Sequence, residues 1–122
     1  MGLFSKDDNK VKKNPMDSYR KEINEYILNG EIIEGIYPLF VDFLCITNRR
    51  LIFVNKDLSF KEPKTTMVTL PYKNINSVEL EKKVTGFTDK IIISARSRTY
   101  ELKFIKNPNL KEIYNLISEK II

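Results

Sequence analysis

The 122-residue chain has no histidine, one cysteine and four glycines. Without histidine it lacks the usual general base and the commonest metal ligand. With Cys45 as its only thiol it has no internal disulfide, no zinc-type ligand set and no Cys–His or Ser–His nucleophile. The glycines do not cluster, which excludes a phosphate-cradling loop of the P-loop or dinucleotide-binding kind. No apolar run is long enough to span a bilayer. The start at Met1-Gly2 has neither the apolar core of a secretory signal nor the Ser or Thr that myristoylation needs at position 6, where Lys6 stands. The carboxylate pairs Glu31/Glu34 and Glu79/Glu81 remain; the second alternates with apolar residues and reads as a solvated strand face. The expectation is a cytoplasmic protein that is not an enzyme and carries no cofactor and no metal.

What is present suits one ordinary folded unit. Hydrophobic residues make up 42% and charged residues 30%, enough for a core without staples. The net charge of +5 is compatible with an anionic partner. It is not a nucleic-acid footprint unless the cations cluster, and no aromatic ladder with interleaved cations is visible.

Residues 1–13 are polar and lysine-rich and read as a flexible basic arm. A helix is expected over 14–30, capped by Asn14, opened by Pro15 and closed by Asn29-Gly30. Tyr19, Ile23, Tyr26 and Ile27 form its apolar stripe, which must dock on its own sheet or on a neighbour. The period then changes to two. Strands are expected over 32–37, 41–47, 51–55, 64–70 and 75–81, then around Ile91 to Ala95 and Tyr100 to Phe104. Turns fall at 86–89 and at Ser97-Arg98. A last helix, capped by Asn107 with Pro108 at its first position, carries Leu110, Ile113, Tyr114, Ile117 and Ile121 on one face. Seven antiparallel strands and an amphipathic helix make an α+β, mainly β, pattern.

The clearest local feature is the hairpin from Phe43 to Lys56. Two runs of β-branched and aromatic residues flank Asn48-Arg49-Arg50, with Asn48 able to take positive φ in the turn. Thr47-Asn48-Arg49-Arg50-Leu51-Ile52, followed later by Pro71-Tyr72-Lys73-Asn74-Ile75, resembles the "TNKRLI" and "IPYKSI" segments of the bacterial pleckstrin-homology (PH-like) domain family. The likeness runs from about Gly30 to the C-terminus. It implies a PH-like seven-stranded antiparallel bent barrel over 31–122, with a C-terminal capping helix and an extra N-terminal helix. It also implies subunits of closed homo-oligomeric rings, and the 83–90 segment is where the match is least clear.

Eukaryotic PH domains that bind phosphoinositides tightly place cations on the first two strands and their loop. Here Gly35 to Asp42 carries no basic residue and one acid. The expected function is therefore a non-catalytic interaction or scaffold domain that associates with itself and with other proteins. Leu39, Phe40, Tyr19 and Ile23 are its candidate contacts, since Leu39-Phe40-Val41 is too apolar for an idle connection. The alternative is a peripheral binder of anionic membrane lipid. Lys12 and Lys13 of the arm, with Arg49 and Arg50 of the turn, would then meet the membrane surface; nucleic acid is not expected. The turn arginines at 49 and 98 could act together only if the two turns lie side by side.

Overall fold

Four of the strands pair strictly in chain order, each folding back on the one before. The computed structural model describes residues 15–59, 61–83, 89–105 and 109–122. Helix α1 (Pro15–Asn24) precedes β1 (Ile33–Pro38), β2 (Asp42–Thr47), β3 (Arg50–Asp57) and β4 (Lys64–Pro71). These strands form one antiparallel sheet in the order β1-β2-β3-β4. A 3-10 turn (Tyr72–Asn74) leads to β5 (Ser77–Glu81), β6 (Lys90–Ala95) and β7 (Arg98–Lys103), a second antiparallel sheet. Helix α2 (Leu110–Ile121) closes the chain and packs on β5, β6 and the 3-10 turn. The two sheets meet at one corner, where Leu39 bridges Phe104 in antiparallel fashion. The expected seven strands and two flanking helices are present, and the strand ends move by one or two residues.

The alternation of side chains along a strand divides the first sheet into two apolar faces. Leu44, Phe53 and Val68 lie in register on the inner face and Phe43, Val54 and Met67 on the outer. The inner face packs with Ile91, Ile93 and Leu102 of the second sheet and Ile113 and Ile117 of α2. The outer face is roofed by α1. Ile23 is fully buried among Ile36, Phe43, Cys45, Ile52 and Val54, and the Tyr19 ring stacks on Phe43 at 4.5 Å. Thus the stripe of α1 docks on its own sheet. Burying one such isoleucine stabilises by about 1.5–3 kcal/mol. It also explains why β2 reads as apolar on both sides: Phe43 to Thr47 are all buried. Cys45 is among them, and burial raises its thiol pKa to about 11.

Three local expectations are corrected. The first helix does not run over 14–30 but ends at Asn24. Tyr26 N–H donates to the Ile23 carbonyl at 2.9 Å, an i→i+3 turn that tightens the end of the helix. Glu31 then holds Leu28 N–H at 2.9 Å, so Gly30, at φ 79°, serves this second turn instead of capping the helix. The cap of α2 is Asn109, whose Oδ1 accepts from Glu112 N–H at 3.2 Å. Asn107 and Pro108 lie outside the described residues, as do the arm 1–13, Asn14 and residues 86–88 of the expected turn. The β6–β7 turn is Arg96-Ser97, one residue early, with Arg96 at φ 57°.

Candidate interaction site

Asn48 supplies no positive φ; the β2–β3 turn is closed by Thr47 instead. The Thr47 hydroxyl oxygen accepts from the N–H groups of Arg49 and Arg50, each at 3.0 Å, and its proton goes to Glu31 Oε2 at 2.7 Å. Arg50 grips the same carboxylate with two bonds, Nε to Oε2 at 2.8 Å and Nη2 to Oε1 at 3.0 Å. Its remaining donors reach Thr69 Oγ1 at 2.9 Å and the Tyr26 carbonyl at 2.8 Å. The Tyr72 hydroxyl lies against the carbonyls of Thr47 and Arg50. Asn48 Oδ1 accepts from Ile32 N–H at 2.8 Å. The two signature segments therefore meet in one polar lock around Glu31, whose side chain is fully buried. Arg50 bonding holds the Glu31 carboxyl at about 2, with burial opposing and the Leu28 and Thr47 donors assisting. Tyr72 is pushed up, chiefly by burial.

The opposite end of β3 is built differently. The β1–β2 turn is held by Leu39 N–H to the Asp42 carbonyl at 2.9 Å and by Phe40 N–H to the Lys103 carbonyl at 3.1 Å. That anchoring turns Leu39 into the core and Phe40 outward: Phe40 is 60% and Val41 49% exposed. Beside them opens a cleft of about 570 Å³ between the inner face of β3–β4 and strand β7. Phe53, Asn55, Thr66 and Val68 form one wall; β7 from Arg98 to Lys103 forms the other. Phe53 and Tyr100 meet across it with ring centroids 5.2 Å apart, and the Arg98 guanidinium sits 5.3 Å above the Tyr100 ring. Glu101 is bound to Lys90 at 3.2 Å, so among the described residues Arg98 has no carboxylate partner. Asp42, under the turn, has Lys56 at 3.4 Å, and burial raises its pKa.

Of the residues singled out from sequence, Ile23 and Leu39 are buried in the two cores and Tyr19 is half-buried against Phe43. Only Phe40 of that set projects into solvent. Arg50 is fully engaged within the chain, whereas Arg49 is exposed. Lys12 and Lys13 lie outside the described residues. The turn arginines do not converge: Arg50 opens β3, while Asn55 of the cleft lies five residues on, about 17 Å along the strand. Sequence reasoning named Arg98 only as a turn cation and missed the cleft that it lines. The signal was the strand alternation that puts Arg98 on the same face as Tyr100 and Leu102. Among the described residues no cluster of His, Cys, Asp and Glu is suited to hold a metal, and no helix is long and apolar enough to cross a membrane.

With this geometry in view, comparison with known proteins is informative. The family described as "Bacterial PH domain" matches residues 2–121. An uncharacterized protein of Bacillus subtilis (strain 168), YozO, is 35% identical over 104 residues, covering 83% of this chain and 88% of the relative. A second one from the same organism, YjqA, is 32% identical over 62 residues, about half of each chain (51% and 49%). Among solved structures, a pleckstrin homology domain from Shewanella amazonensis SB2B superposes with a TM-score of 0.70 at 16% identity, covering 87% of each chain. A protein with a pleckstrin-homology domain from Shewanella loihica PV-4 gives 0.73 at 20% identity, over 87% of this chain and 92% of that one. At those identities the two structures speak for the fold alone.

Proposed function

The chain belongs to the bacterial PH domain family, and we propose that it serves as a non-catalytic interaction module of the cytoplasm that associates with itself and with other proteins. The observation that carries this reading is the open end of the sandwich. Exposed Phe40 and Val41 stand beside the cleft and a strand edge that pairs with no other strand among the described residues. Apolar side chains held outward by two backbone hydrogen bonds are pre-organised for contact, so little ordering cost accompanies binding. The polar lock supports the same reading: it consolidates the hairpin, and its charged groups are already matched to each other.

The solution mass of the full chain, by light scattering behind a sizing column, tests self-association. A discrete multiple of 14.3 kDa that falls to the subunit mass in Phe40→Asp is the expected result. A monomer at all concentrations would sink self-association. The lipid alternative loses Arg50 to the lock and is not proposed.

A further inference from the structure

Strand β7 is the terminal strand of the second sheet, paired with β6 on one side only. Its other side is used just at its end, where Lys103 carbonyl accepts from Phe40 N–H and Ile105 N–H donates to the Pro38 carbonyl. Backbone groups of an antiparallel strand point alternately to its two edges. Because residues 103 and 105 point outward, Thr99 and Glu101 do so too, and among the described residues no strand pairs with them. Chain 38–40, which would have continued along β7, turns away at Val41 into β2. The space it leaves is the cleft. Its floor is apolar (Phe53, Val68, Tyr100), Asn55 and Thr66 add polar side chains on the β3–β4 side, and among the described residues its cations without a carboxylate partner are Arg98, seated over the Tyr100 ring, and Lys103 at the end of the strand.

We propose that this edge and cleft take an extended segment of a partner protein as an added strand, antiparallel to β7. The segment alternates, with two apolar side chains over Tyr100 and Leu102 and an acidic one opposite Arg98. Regularly spaced backbone donors and acceptors fit a peptide main chain, and the lone guanidinium over an aromatic ring selects a carboxylate. From Arg98 to Lys103 the strand is about 17 Å long, room for five or six ligand residues. Free strand edges are usually blunted by charge, proline or a covering element. The β4 edge has Lys64 and Pro71 at its ends and β5 lies under α2; the middle of the β7 edge is left open. This inference rests on the reading of the chain as an interaction module and names the class of partner.

The test uses the full chain and the acetylated, amidated heptapeptide Thr-Val-Thr-Val-Thr-Glu-Thr, a second version with Lys for Glu, and a third N-methylated at alternate residues. Amide exchange and chemical shifts are followed by NMR. The Glu peptide is expected to protect the Thr99 and Glu101 amides, and the N-methylated peptide to leave them unprotected. Arg98→Glu is expected to weaken the Glu peptide at least about ten-fold and to favour the Lys version. Unchanged Thr99 and Glu101 amides at about 1 mM peptide, or equal binding of the Glu and Lys peptides, overturns the proposal. Protection of those amides without peptide, growing with protein concentration, assigns the edge to a second copy and also overturns it. Peptide binding by a strictly monomeric chain leaves the inference standing and removes only self-association.

Discussion

At one end of β3 an arginine is enclosed by its own chain; at the other an arginine stands over an open cleft. Both follow a hairpin turn, and the sequence around each is a short polar break between apolar runs. The difference lies in what the rest of the chain brings up to them. Arg50 meets Glu31, Thr69 and the Tyr26 carbonyl, and its guanidinium donates four hydrogen bonds to them. Among the described residues Arg98 meets the face of Tyr100 and no carboxylate. An arginine is a binding group only when its own fold leaves its fork unfilled. Basic residues counted from sequence therefore overstate the cations that a partner can meet.

The comparison predicts a large asymmetry in stability. Arg50→Ala leaves the Glu31 carboxylate buried without its cation, and is expected to lower the unfolding free energy by about 3–5 kcal/mol in urea titration. If it behaves like a surface change, the lock is not what holds this end together. The next effect is on pH dependence. Glu31 is held at about 2 in the folded chain, below its ordinary 4.5. A lowered folded value means that its stabilisation is full above the ordinary value and is lost as pH falls toward 2. That loss is on the order of 3 kcal/mol. It should show as a steeper acid limb in the native chain than in Glu31→Gln, measured by thermal melts between those pH values. Tyr72→Phe removes one donor from the carbonyls of Thr47 and Arg50, for an expected loss of about 1–2 kcal/mol by the same urea titration. Arg98→Ala should change stability by no more than about 0.5 kcal/mol. A larger loss would mean that Arg98 too is a structural group.

How much of this was legible varies with range along the chain. The strands were readable because period-two alternation is local, and the Phe43 to Lys56 hairpin carried its own turn. The end of α1 was misread because Asn29-Gly30 looks like a helix cap. What actually governs that segment is Glu31, committed to Thr47 and Arg50 across 16 and 19 residues of sequence. No local pattern announces such a pairing, and from sequence Glu31 stood out only as one of a carboxylate pair with Glu34. The α2 cap was misassigned by two residues because Asn107 and Asn109 are equally good capping types. Of the interaction residues, Phe40 was legible as part of a run too apolar for an idle connection. Ile23 and Leu39 were not, since apolarity alone does not say which side of a sheet a residue will close.

The roof that α1 makes over the first sheet gives the chain a clock. At ten residues this helix is too short to persist in water by itself, so its helicity depends on the apolar surface beneath it. That surface contains the chain's single thiol, Cys45, pressed under Ile23 and its neighbours and kept protonated by burial. Any opening that lifts the roof hands water and base to the one thiol of the molecule. The rate at which a thiol reagent labels the native chain thus times the undocking of α1, with no probe added and no residue changed.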